Sequence, residues 1–320
     1  MGPIEALYRK LFVHRYDDEG YLFYFTAADF PGLHAEPFAF RSGANELRGF
    51  FYRYDGCRED ELIVFCHGLG GGHLSYMREI ERLCRAGYCV LAWDNTGCFA
   101  SEGESVRGLS QSLADLDAAL TALTERGLRE RYRQLTVIGH SWGGFAAGCI
   151  GNYRDDIDKT VVISGPVTVR ALLTATLKAN KVPCAGLIVN RLVKLEQKAN
   201  PAYADASALT AVDAKKSRFL FAHSDDDAAV PLAAGAGYVR DRTTNPDARF
   251  MIVHGKYHNP NYTADAVGYM QRTFGALNAA VKKKTLKTAA DKKEFLKDVD
   301  WRRMTEQDPA FWNEVLNFIG

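Results

Sequence analysis

The chain has 320 residues, 47% of them hydrophobic and 25% charged, and its 40 Lys and Arg nearly balance 39 Asp and Glu. That is ordinary globular composition, and a net charge of +1 leaves no basic excess with which to hold a nucleic acid. No run approaches the ~20 apolar residues of a membrane span.

The first residues, MGPIEALYRKLFVHRYDDEG, lack the basic start, apolar run and small-residue cleavage site of a signal peptide. Met1-Gly2 is followed by Ala6 where a myristoylation signal has Ser or Thr. AEPFAFRSG and NELRGFFYRYDG alternate and meet at Gly43 and Asn45, which predicts a hairpin. ELIVFCHG carries a continuous apolar run, Leu62 to Cys66, as expected of a strand buried on both faces. LSYMREIERLCRAG puts Met77, Ile80, Leu83 and Cys84 on one helical face and stops at Gly87. YCVLAWDN reads as a strand, SLADLDAALTALTERG as a helix, QLTVIGHS as a strand and WGGFAAGCIGNY as a small-residue helix. TVVISGP, RFLFAHSD and ARFMIVHG are three further strands.

Strand and helix alternate from Glu61 to His258, which specifies a mostly parallel sheet covered by helices on both faces, with the hairpin at its edge. Two segments break the alternation. One, between Ser164 and Arg218, holds VRALLTATLKAN and AGLIVNRLVKLEQKA with Pro183 between them. The other runs from Asn259 to Asp308, with Tyr269, Met270 and Phe274 on one helical face and lysines at 282–284 and 287. We read the lysines as a solvated face. PAFWNEVLNFI, with Pro309 in its first turn, closes the chain as an amphipathic helix. The seven cysteines are odd in number and without CxxC spacing, and most sit in apolar stretches. They read as buried reduced thiols of a cytoplasmic protein.

Gly139-His140-Ser141-Trp142-Gly143 matches G-x-S-x-G, here between a buried strand and a small-residue helix. A serine on so sharp a turn needs small neighbours, and the free N–H groups of the following helix can face developing negative charge. On these residues the sequence resembles the α/β-hydrolase superfamily of serine hydrolases, from about Glu36 to His258 and again in the last helix. The resemblance implies the α/β-hydrolase fold with a helical cap. The core then covers residues 1–165 and 213–320, the cap 166–212, and a helical excursion lies near 260–308.

The same resemblance supplies roles. Ser141 is the expected nucleophile of a catalytic triad. His67-Gly68-Leu69-Gly70-Gly71-Gly72 matches the loop that gives one oxyanion-hole N–H, from Leu69, with Trp142 supplying the other. Aligning HSDDDAAVP on Val230-Pro231 selects Asp227 as the acid over Asp225 and Asp226, with Ser224 in the usual glycine position. In HGKYHNP the order Ser…Asp…His selects His258 after Gly255 as the base, over His254. His67, His140 and His223 take structural roles. DNTGCFASEG departs from the related D-x-x-G-x-G-x-S loop by carrying Phe99 where a glycine often stands.

Leucines of the block, among them Leu172, Leu187 and Leu192, are expected to bind the apolar part of a substrate, or else to pack the cap onto the core. The expected activity is cleavage of a carboxylic ester of a small or medium, partly apolar molecule through an acyl-enzyme. Amidase, peptidase or thioesterase action with the same residues is the alternative, and a non-catalytic binding protein on this scaffold is another. The His and Cys positions make no ligand cluster and there is no GxGxxG or P-loop, so neither metal nor cofactor is expected.

Overall fold

Strands buried along nearly their whole length form the centre of one eight-stranded sheet, and the alternating run forms its edge. The structure is a computed structural model that describes residues 3–320, so the Met1-Gly2 start lies outside the described residues. Helix α1 (Pro3–Phe12) precedes an arm over residues 13–33 with one tight turn at Ala27–Asp29. Strands β1 (His34–Ser42) and β2 (Asn45–Arg53) make the hairpin, which turns at Gly43 with φ 57°. Next come β3 (Glu61–Cys66), α2 (Met77–Arg85), β4 (Cys89–Trp93), α3 (Gln111–Glu125), β5 (Gln134–His140), α4 (Trp142–Cys149) and β6 (Lys159–Ile163). Three helices, α5 (Val169–Ala179), α6 (Ala185–Ala199) and α7 (Ala208–Asp213), separate β6 from β7 (Arg218–Ser224). Helix α8 (Ala236–Arg240) leads to β8 (Arg249–Val253). After it lie α9 (Ala264–Lys282), α10 (Ala289–Phe295), α11 (Trp301–Met304) and α12 (Pro309–Ile319).

The strand order is β1-β2-β4-β3-β5-β6-β7-β8, with β1 and β2 antiparallel to their neighbours and the remaining pairs parallel. The mostly parallel sheet expected from the sequence is therefore the one observed. Side chains along β3 alternate between two cores, because successive Cβ atoms point to opposite faces. Leu62, Val64 and Cys66 join Leu113, Leu116, Leu120 and Phe145 of α3 and α4 on one face. Ile63 and Phe65 join Ile80 and Leu83 of α2, and Phe311, Trp312 and Val315 of α12, on the other. Parallel strands align their C-terminal ends, so the loops after β3, β5, β7 and β8 gather along one edge, where open α/β sheets place their sites.

Helix α1 has no counterpart among the sequence expectations. Its Tyr8 and Phe12 are buried, and Tyr8 Oη donates to Glu196 Oε2 of α6 at 2.9 Å. The same buried carboxylate accepts from Ser110 N–H at 2.7 Å and Ser110 Oγ at 2.5 Å. One glutamate thus ties α6 to α1 and to the residue that opens α3.

Candidate active site

Ser141 follows β5 directly and stands at φ 56°, ψ −113°. A non-glycine residue there carries about 1–3 kcal/mol of backbone strain, which persists only where the surroundings over-determine it. They do. Its N–H donates to Ile163 O at 2.8 Å, and its carbonyl accepts from Phe145 N–H at 2.9 Å to start α4. A Cβ on Gly139 would stand 2.1 Å from Gly143 O, and one on Gly143 would stand 2.0 Å from Cys66 O. These contacts explain the glycines flanking the serine: strand, turn and helix approach one another too closely for any side chain.

The loops after β7 and β8 bring two more side chains to this turn. Ser141 Oγ lies 2.8 Å from His258 Nε2, and His258 Nδ1 lies 2.7 Å from Asp227 Oδ2. With Nδ1–H donating to the carboxylate, Nε2 is left free to accept the serine proton. Asp227 is buried, and its Oδ1 accepts from the N–H groups of Ala229 and Val230, both at 2.9 Å. His223 Nε2–H donates to Val230 O at 2.8 Å and stands 3.4 Å from Asp227 Oδ2. Burial pulls the Asp227 carboxyl up, but His223, His258 and the Val230 N–H more than offset it and hold the group well below the usual carboxylate range. Asp225 and Asp226 turn elsewhere. Asp225 pairs with the exposed His254 at 2.9 Å, and Asp226 accepts from Ser224 Oγ and from Tyr257 N–H.

Tyr76 and His140 connect the site's loops, and no linear motif marks their connection. His140 Nε2–H donates to the His258 carbonyl at 2.8 Å, which leaves Nδ1 to accept from Tyr76 Oη–H at 2.8 Å. Tyr76 Oη accepts in turn from Gly68 N–H at 3.1 Å. Burial, then the neighbouring His258, pushes the His140 pKa down to about 3, so this ring stays neutral. His67 braces the same loop, donating from Nδ1 to Gly68 O and accepting from Asn95 N–H at Nε2. The sequence reading gave His67, His140 and His223 structural roles but left Tyr76 out. Tyr76 and His140 lie 64 residues apart, beyond the reach of local periodicity.

Leu69 follows Gly68, and Trp142 opens α4, where a backbone N–H has no partner within the helix. The Trp142 indole is buried and donates to Leu109 O at 2.5 Å, while its carbonyl accepts from Ser112 Oγ at 3.1 Å. Both contacts fix the residue's orientation. Phe99 sits at φ 44°, a left-handed conformation that favours glycine, and packs edge-on against Tyr24 of the arm at 5.3 Å.

The three leucines expected to bind the substrate or to pack the cap differ in exposure. Leu192 is 1% exposed and packs in the core, and Leu187 is 72% exposed. Leu172 is partly buried and packs against the same core. Helix α6 is amphipathic, and Leu192 lies on the side that packs the helical block onto the core, the alternative role expected for these leucines.

Residues 58–217 match the family model Hydrolase_4, described as serine aminopeptidase, S33. Over 111 residues the chain is 30% identical to human protein ABHD8, covering 34% of this chain and 24% of that protein. The bovine ABHD8 protein matches at the same identity and length, covering 25% of its own sequence. The matched segment therefore spans about a quarter of these relatives. An esterase of Pyrococcus furiosus shares the fold with a TM-score of 0.60 at 20% identity, over 89% of this chain and 97% of that one.

Proposed function

The chain belongs to the serine aminopeptidase (Hydrolase_4) family of the α/β-hydrolase superfamily, and from that premise we propose that it cleaves carboxylic esters of small or medium, partly apolar molecules through an acyl-enzyme on Ser141. One observation carries the reading: an unbroken line of contacts from Ser141 Oγ to His258 at 2.8 Å and from His258 to Asp227 at 2.7 Å, with the serine on a strained turn.

In this mechanism His258 Nε2 takes the proton as Ser141 Oγ attacks the carbonyl carbon. Asp227 orients the ring and stabilises the imidazolium. The N–H groups of Leu69 and Trp142 receive the oxyanion, a contribution of about 3–4 kcal/mol per donor in comparable sites. His258 then returns the proton to the leaving alkoxide, and water attacking with His258 as base frees the acid. Exposed apolar side chains beside the site, Tyr257 next to His258 and Leu69 in the glycine loop, suit an apolar substrate. A substrate ammonium group, as on a peptide N-terminus, would need a free carboxylate, and all three aspartates of the β7 loop are engaged. Esters stand first in this reading, with amides, peptides and thioesters as the alternative. The helical block over 166–212 is read as a cap seated by Glu196 on a core of residues 1–165 and 213–320. A cytoplasmic location belongs to the same reading, on seven unpaired cysteines. None of the helices among the described residues is long and apolar enough to cross a membrane.

Labelling with a fluorophosphonate tests the nucleophile: folded protein should carry the adduct on Ser141, and its absence would overturn the reading. A panel of p-nitrophenyl esters beside anilides and thioesters then ranks the bond types.

A further inference from the structure

The arm over residues 13–33 and helices α9 to α11 take no part in the mechanism, yet they meet beside it. Leu22, Phe23, Leu74, Met270, Phe274 and Met304 contribute to the wall of a cavity of about 200 Å³. Leu22, Leu74, Met270 and Phe274 are only partly buried, so each keeps apolar surface free.

Two residues of its wall connect the cavity to the segments that carry the proposed site. Gly70, next in the chain to Leu69, is part of its wall. So is Met270, whose sulfur lies 3.8 Å from Asn259 Nδ2, one residue beyond His258. The wall thus includes the residue that follows the proposed oxyanion donor and a side chain that touches the residue following the proposed base, and that base lies 2.8 Å from Ser141 Oγ.

We propose that this cavity, rather than the leucines of α5 and α6, receives the apolar acyl or alkyl group of the substrate. The proposal rests on the serine-hydrolase reading above and names its substrate class. An engineered cavity of about 150 Å³ holds benzene, so this one has room for an aromatic ring or a chain of about six to eight carbons. Each methylene it buries should raise kcat/KM by up to about fourfold until the space is full.

The test measures kcat/KM for p-nitrophenyl esters from acetyl to dodecanoyl in the wild-type enzyme, Phe274→Trp and Leu172→Trp. The wild type should rise with chain length and level off at about six to eight carbons. Phe274→Trp fills the space and should lower the octanoyl-to-acetyl ratio at least tenfold, while Leu172→Trp leaves that ratio within about twofold. Phe274→Leu enlarges the space and should move the optimum to longer chains, which guards against a misfolded Trp variant. A flat wild-type profile, or a ratio that responds to Leu172→Trp and not to Phe274→Trp, would overturn the proposal. Calorimetric titration of octanoate separates this proposal from the parent reading, because it needs no turnover. Octanoate binding that weakens at least tenfold in Phe274→Trp supports the cavity even if Ser141 takes no fluorophosphonate. Labelled Ser141 with no octanoate binding sinks the cavity alone.

Discussion

The turn at Ser141 and the helical block over 169–213 are close in the chain and are held in opposite ways. The turn is fixed by steric contact. Its backbone is strained, Gly139 and Gly143 admit no side chain, and every residue of α4 is buried. The block is seated by a few polar anchors on an apolar patch. Glu196 takes three hydrogen bonds, Asn200 Nδ2 donates to Arg107 O at 3.0 Å, Tyr203 Oη donates to Asp117 Oδ2 at 2.8 Å, and Val189, Leu192 and Val193 are buried. Substitutions should divide accordingly. At the turn they should remove chemistry or backbone strain. In the block they should act on stability where an anchor is cut, and do almost nothing elsewhere.

The largest expected effect is at the turn. Ser141→Ala should lower kcat/KM by about 10⁴-fold or more on any ester the enzyme cleaves, with little change in urea unfolding. Loss of the fold instead would break the contrast. Next is the anchor. Glu196→Ala leaves two buried Ser110 donors and the Tyr8 hydroxyl without their acceptor, and should cost roughly 3–5 kcal/mol in urea unfolding. A cost below about 1 kcal/mol would mean the block is seated by its apolar patch alone.

A pH dependence should sharpen the picture near His258. Glu79 of α2 is buried and accepts from Asn261 Nδ2 at 2.9 Å, just beyond the base. Burial pushes its pKa up to about 7, against an ordinary 4.5, and its hydrogen-bond partners only partly resist. Because the folded value is the higher one, the contribution is fully present below pH ~4.5 and is lost as the pH rises through ~7, up to about 3 kcal/mol in all. Glu79→Gln should flatten that part of the stability–pH profile, measured by denaturant unfolding at a series of pH values. Asp227, whose value is held low, has the opposite sign: its contribution is present above the ordinary carboxylate range and fades in acid.

The smaller effects test the strain and the exposed surface. Ser141→Gly should be more stable than Ser141→Ala by about 1 kcal/mol, because glycine adopts a positive φ without penalty. Leu187→Ala should change stability by less than about 0.5 kcal/mol, as expected for a solvent-facing side chain.

What was legible in the sequence follows from the range of the forces involved. The fold was readable because hydrophobic runs and their period depend on near neighbours, and the eight strands lie where those runs predict. The residues Ser141, Asp227 and His258 could be singled out because turns and strand ends have local signatures: three glycines beside the serine, and Val230-Pro231 after the acid. The structure brings those side chains within hydrogen-bond reach, and Asp227 explains its own register by accepting the Val230 N–H. Helix α1, Tyr76 and the seat of Glu196 were not readable. Their meaning lies in partners 64 to 188 residues away, and no local pattern records such a meeting. Which of the leucines of α6 would pack and which would stay exposed was not readable either, because composition alone does not tell which side of the helix faces the core.

The hydrogen bond from His140 to the His258 carbonyl has a thermal consequence. His140 is the last residue of a central strand and the immediate neighbour of Ser141, so one residue holds the backbone of both partners in the proton transfer. Neither can drift from the other while β5 stays in register. Heat inactivation should therefore follow the cooperative loss of the sheet as a single step, with no temperature interval in which the protein remains folded but its serine and histidine have already parted.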